Sequence, residues 1–302
     1  MNGKSPRRCL GLLAGIVSGA FCGGMIYTIH LTAGQIPAAQ VTFMRAFSAA
    51  VLLLPYILRH GRAWFAPTSS LLWLRSAIGS ISVLCLVWNL QHTSVGFAST
   101  LLNLAPILVV LIGAFLGVER FKLGRFLNII LVVAASILFW HGSRTQAPAM
   151  VWMVGLGGMS AAAVAYAMVK ILPSVWSPLD MTWCLSLAEL PVTLFFKRGP
   201  WIFPTGKALW MLAAICALSL ISNALTNFSF RHLELSTATA LVPSCIIWGV
   251  LLDMWQGQFP LLQGVLGCLL YLFAIISLAT QRNKPAIDTG NIAAPAIEEI
   301  RP

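Results

Sequence analysis

Apolar stretches of about twenty residues alternate with short polar or Gly/Pro-containing breaks along almost the whole chain. A helix needs about 20 mostly apolar residues to cross about 30 Å of hydrocarbon. Ten segments meet that length: 10–29, 38–58, 71–90, 96–116, 124–140, 150–172, 179–196, 208–228, 236–252 and 261–278. The breaks carry turn or charge signals, among them Gly34-Gln35-Ile36-Pro37, Arg59-His60-Gly61-Arg62, Glu119-Arg120-Phe121-Lys122, the segment 173–178 and Lys197-Arg198-Gly199-Pro200. Such short connections leave little room for a soluble domain. The pattern predicts an all-α membrane protein of ten transmembrane helices, with an N-terminal tail at 1–9 and an exposed, poorly ordered C-terminal tail at 281–302. The first span follows Lys4, Arg7 and Arg8 and so resembles a secretory signal, but its apolar stretch is too long for a signal core and nine more spans follow, so it reads as a retained helix.

Composition agrees. Of the 302 residues 59% are hydrophobic and 9% charged, against about 25% charged in a soluble globule. The net charge of +11 comes from 19 Lys+Arg against 8 Asp+Glu. With the N-terminus in the cytoplasm, thirteen of those nineteen bases fall inside, Arg144, Lys197, Arg198 and Lys207 fall outside, and Arg45 and Arg75 lie within spans. Both termini are therefore cytoplasmic by the positive-inside rule, and the basic excess calls for membrane lipid rather than nucleic acid as its partner. The seven cysteines form no CxxC pair and read as small apolar residues, not disulfides or metal ligands.

One segment recurs. Residues 91–106, beginning Gln91-His92 and ending Ala105-Pro106, match 231–243, beginning Arg231-His232 and ending Val242-Pro243, with three residues deleted. Each copy joins a helix end, a small-residue turn and the first half of a helix that soon meets a proline. Two repeats of five helices follow, 10–140 and 150–278, and an odd number per repeat inverts one copy relative to the other. Inverted repeats of this kind place a substrate site near the midplane of many secondary transporters.

The residues Phe43-Met44-Arg45-Ala46, the stretch Ala98-Ser99 to Pro106, Gly117-Val118-Glu119-Arg120, Ser177-Pro178-Leu179 and Pro243 occur in an order that resembles the drug/metabolite transporter superfamily, and within it the EamA-type ten-helix members. The chain departs from that pattern at Met254-Trp255-Gln256-Gly257, where the family has Gly-Glu. The resemblance implies a gradient-driven transporter in the bacterial inner (plasma) membrane, working by alternating access, foremost an exporter of amino acids or related small molecules. An uptake or exchange carrier for a nucleotide-like or cofactor metabolite is the second reading. An intramembrane enzyme or a non-transporting assembly partner ranks behind both.

Several residues are candidates for that work. Gly11, Gly15, Gly19 and Gly23 form one bare ridge along the first helix, suited to close packing or to a sliding contact. Arg45 lies inside the second span, where a guanidinium needs a partner; a substrate carboxylate or phosphate would complement it. Arg75, nearer its helix start, is expected to snorkel to the headgroups. Glu189 is the acid deep in a span, and burial penalises its charged form, making it either a proton carrier or a structural tie. Trp88, Asn89, Asn103, Tyr166, Trp183, Asn223 and Asn227 are substrate-binding or pathway candidates, with Asn223 and Asn227 on one face of their helix. Interhelical hydrogen bonding is the alternative for the asparagines, and a lipid-facing belt for the tryptophans. The five histidines sit near span ends without metal-ligand spacing, and there is no GxxxxGK[ST], HExxH or GxSxG motif. No cofactor or metal is expected, and energy would come from a gradient, with protons as a coupling ion. A homodimer is compatible with this reading.

Overall fold

The computed structural model describes residues 6–60, 69–115, 117, 123–141, 148–172, 175–197, 199–245, 247–248 and 262–280. Regular structure there is helical: α1 (Pro6–Leu31), α2 (Ala38–His60), α3 (Ser70–His92), α4 (Val95–Asn103), α5 (Ala105–Phe115), α6 (Leu123–His141), α7 (Ala149–Ile171), α8 (Pro178–Phe195), α9 (Lys207–His232), α10 (Leu235–Leu241) and α11 (Leu262–Thr280). Among the described residues six helices are long and apolar enough to cross a membrane: Arg7–Leu31, Ala38–His60, Ser70–His92, Phe97–Phe115 (α4 with α5), Ala149–Ile171 and Lys207–His232. The apolar runs of α6 and α11 are shorter, Phe126–Leu138 and Val265–Ala274. The 18-residue α8 carries both Asp180 and Glu189. Residues 246 and 249–252 of the predicted ninth span, the Glu119-to-Lys122 break, Met254 to Gly257 and the tail 281–302 lie outside the described residues.

Local chemistry explains several boundaries. Ser177 and Asp180 form a capping box at the start of α8, where Ser177 Oγ accepts from Asp180 N–H and the Asp180 carboxylate accepts from Ser177 N–H at 2.7 Å. Pro178, at the first helical position, gives up no useful donor there. Ser94 caps α4 through Phe97 N–H. Three helices share an ending that the spacing alone did not announce. His60, His92 and His232 each stack on the aromatic ring four residues earlier, Tyr56, Trp88 and Phe228, with centroids 4.0 to 4.1 Å apart. Each Nδ1 also meets the carbonyl of that same aromatic residue at 2.7 to 2.9 Å. The imidazole N–H thereby adds a second donor to a carbonyl that already lies in the last turn of the helical ladder.

The helices pack in matched pairs. α1 lies along α9 and α3 along α7; α2 lies against α8 and α6 against α11. One constant spacing in sequence carries the end of α1 to the end of α7 (Leu31 to Ile171), the start of α2 to that of α8 (Ala38 to Pro178), the end of α3 to that of α9 (His92 to His232) and the start of α4 to that of α10 (Val95 to Leu235). The correspondence reaches individual contacts. A Cβ on Gly15 would meet the Leu241 side chain and Ser229 Oγ, and a Cβ on Gly155 would meet the Leu101 side chain and Asn89 Nδ2. These residues are related by the same spacing. It puts the three-residue deletion past Leu101 and Leu241, so Pro243 interrupts its helix about one turn earlier than Pro106 does.

Those interruptions are real breaks. After Asn103 the Leu104 N–H turns back to Leu101 O, and Ile107 N–H turns back to Leu104 O; Pro106 has no N–H to continue the ladder. α10 stops at Leu241, with Val242 N–H on Thr239 O. The glycine ridge of α1 lets this second break approach. A Cβ on Gly19 would strike Ser244, and one on Gly23 would stand 2.7 Å from Cys245 O. Gly11 faces Leu233 and His232.

Candidate functional site

A cavity of ≈ 100 Å³ lies where α1, α2, α3, α7, α8, α9 and α10 converge. Most of its wall is apolar or small, with Gly15, Gly19, Met25, Gly79, Val83, Leu86, Ala162, Ala165, Leu185, Phe230 and Leu241 among the lining residues. Polar groups enter at a few points: Ser18, Ser82, Ser222, Thr226, Asn223, Asn227, Tyr166, Arg45 and Arg75. An apolar pocket with a few convergent polar groups is the usual form of a small-molecule site.

Two arginines reach this cavity from different helices. Arg45, on α2, is 3% exposed, and its Nη2 lies 2.6 Å from both carboxylate oxygens of Glu189 on α8, itself 1% exposed. This ion pair joins the two helices at 144 residues' separation in sequence. Arg75, on α3, is also 3% exposed. Its Nη2 donates to Asn227 Oδ1 at 2.9 Å, and its Nη1 reaches Met181 O at 3.5 Å. Asn227 Nδ2 donates to Thr182 Oγ1 at 3.0 Å, and the Thr182 hydroxyl donates to Pro178 O at 2.9 Å. The expectation that Arg75 snorkels to the membrane surface is thus corrected: α8 and α9 cover it and supply its acceptors.

Four of the pathway candidates therefore line this cavity together, Arg45, Tyr166, Asn223 and Asn227. Tyr166 lies flat on Phe230, centroids 4.7 Å apart. Glu189 stands behind Arg45. Four other candidates lie off the wall. Trp88 stacks on His92, and Trp183 Nε1 donates to Ala50 O at 3.2 Å, tying α8 to α2. Asn89 is buried beside Gly155, its Oδ1 without a hydrogen bond. Asn103, at the α4–α5 break, is fully buried with neither amide atom bonded. Along α1, Ser18 Oγ reaches Ser222 O at 3.0 Å and Thr226 Oγ1 at 2.5 Å, a polar seam between α1 and α9 at the cavity edge.

Sequence reasoning missed the Arg75–Asn227–Thr182 relay. Its signal was weak: a second arginine inside a span, with partners on helices far away in the chain. Among the described residues no three His, Cys, Asp or Glu side chains gather as a metal site; Glu119 lies outside those residues.

Comparison with known proteins supports a transporter. The EamA-like transporter family matches residues 9–140. That family pattern falls within the first half of the chain. The chain is 22% identical over 276 residues to the pseudopaline exporter CntI of Pseudomonas aeruginosa, found in two strains, and the match covers 89% of this chain and 95% of that one. A crystal structure 16% identical to it superposes with a TM-score of 0.69, covering 91% of this chain and 97% of the other, a likeness of fold. The comparisons point to a multi-pass membrane transporter and not to an enzyme.

Proposed function

We propose that this transporter exports small organic metabolites, amino acids or related compounds, across the bacterial inner membrane by alternating access. In this reading ten spans form two five-helix repeats, 10–140 and 150–278, of inverted topology, with both termini in the cytoplasm. The constant spacing between corresponding helix ends supports it, as does the matched packing of α1 on α9 and α7 on α3. The observation that carries the reading is the cavity itself: both halves contribute to its wall, beside two helices broken at Leu104 and after Leu241. Broken helices in corresponding positions of two repeats mark the substrate site of many secondary transporters. The similarity to an exporter supports the direction, and the cavity volume favours a small solute over a nucleotide-like one.

In this mechanism Arg45, Tyr166, Asn223 and Asn227 face the substrate. Trp88, Asn89, Asn103 and Trp183 come to the pathway as the halves rock, and the buried, unbonded amide of Asn103 gains its partners then. Gly11, Gly15, Gly19 and Gly23 form the smooth track on which α1 slides past α9 and α10. Glu189 couples protons: a proton on its carboxylate releases Arg45 and loosens α2 from α8. Flux of labelled amino acids and their derivatives from proteoliposomes under an imposed pH gradient tests this. Wild-type protein moves at least one of them in response to the gradient, and Glu189→Gln abolishes that response while the protein stays folded. Unchanged gradient-driven flux in Glu189→Gln removes Glu189 from the coupling.

A further inference from the structure

We infer that Arg75 is the substrate-binding cation of the cavity and that the solute it selects carries a carboxylate and a net negative charge. This rests on the reading of the cavity as a transport site and narrows its substrate class. Arg45 and Glu189 cancel each other at 2.6 Å. Among the described residues Arg75, equally buried, has only neutral hydrogen-bond acceptors, Asn227 Oδ1 and Met181 O, and its Nε, like that of Arg45, has no hydrogen bond. The other acid of α8, Asp180, takes Ser177 N–H in the capping box. Among the described residues no carboxylate therefore bonds Arg75, although Glu189 acts on it through space, and desolvation makes a buried cation without a directly bonded acid costly. The missing partner is an anion, and a guanidinium fork matches a carboxylate in geometry as well as charge.

The same bonding arrangement disfavours a cationic solute. An ammonium entering the cavity finds Glu189 already committed to Arg45, so an N-acylated amino acid or another small organic acid suits the site better than a free amino acid. Asn227 positions Arg75, and Thr182 positions Asn227, so the fork is held ready before the solute arrives. A solute with net negative charge also moves outward in the direction the inside-negative membrane potential drives it, which agrees with export.

Four leucine derivatives of similar shape separate the charges: N-acetylleucine (anion), leucine (zwitterion), N-acetylleucinamide (neutral) and leucinamide (cation). Binding to the purified full-length protein is read by thermal stabilisation, and transport by efflux of the labelled compounds from proteoliposomes. Wild type should favour N-acetylleucine over N-acetylleucinamide by at least about tenfold, as expected for a charge-assisted bond in a dry site. Arg75→Gln should bring the two within about twofold of each other, and Arg75→Lys should keep part of the preference. A purely structural role for Arg75 would lower all four together and leave their ratio intact, which would overturn the inference. So would a preference for leucine or leucinamide in wild type, or stabilisation by sodium chloride equal to that by N-acetylleucine at the same concentration. If the derivatives cross without any preference for the carboxylate, the anion site fails and the transport reading stands. If none crosses and none stabilises, both fail.

Discussion

Arg45 and Arg75 are equally buried and line the same cavity, yet they are partnered in opposite ways. Arg45 meets a carboxylate that contacts its Nη2 with both oxygens; Arg75 meets an amide and a backbone carbonyl. A closed ion pair stores its charge inside the protein and serves as a tie between helices. An arginine held by neutral groups keeps its charge available. The difference teaches that burial alone does not tell a structural arginine from a binding one, and that the identity of the acceptor does.

The largest effect should come from breaking the closed pair. Arg45→Met leaves Glu189 buried without its cation, and loss of one partner of a buried pair costs about 3–5 kcal/mol. The apparent melting temperature in detergent should fall steeply. The double variant Arg45→Met/Glu189→Leu should recover most of that loss, because two apolar side chains of similar volume replace two charges together. If the double variant is as unstable as the single one, the pair is not acting as a self-contained tie.

Arg75→Met should behave differently. It strands the Asn227 carbonyl without a donor, which costs about 1–3 kcal/mol, but it also removes a buried charge that no acid among the described residues bonds directly, which acts in the opposite direction. The net change in thermal stability should be about 1 kcal/mol or less, well below that of Arg45→Met. Melting curves of the two variants side by side check this, and equal losses would erase the contrast between the two arginines.

Much of the fold was legible because lipid forces it. A spanning backbone must satisfy its own hydrogen bonds, so helices of fixed length show as apolar runs. The glycine ridge was legible for a similar reason, since nothing but bare backbone lets Ser244 and Cys245 come so close to Gly19 and Gly23. The constant spacing of helix ends was visible in the sequence only around 91–106 and 231–243. Elsewhere the corresponding positions have diverged, with Leu185 standing where the spacing from Arg45 points and Val87 where the spacing from Asn227 points. Arg45 and Glu189 each stood out as ionisable residues in apolar spans, but their pairing was hidden by the 144 residues between them. Arg75 was misjudged because depth along its own helix says nothing about which neighbours cover it. Met181 and Asn227 arrive from other helices, and only the packed structure brings them there.

The smallest change in stability, and the sharpest test of the comparison, is Asn227→Asp. It is close to isosteric and puts a carboxylate where Asn227 Oδ1 now stands 2.9 Å from Arg75 Nη2, turning the second arginine into a copy of the first. The Thr182 hydroxyl, which now accepts from Asn227 Nδ2, can rotate to donate to the new carboxylate instead. Because a new buried ion pair gains attraction at the expense of desolvation, the melting temperature should move little, by about 1 kcal/mol or less in stability. Selectivity should move more. With Arg75 neutralised from within, N-acetylleucine loses its advantage over N-acetylleucinamide although the arginine itself is untouched. Retention of the full preference in Asn227→Asp, in a protein whose melting is unchanged, would mean that the solute's carboxylate is read somewhere other than at Arg75.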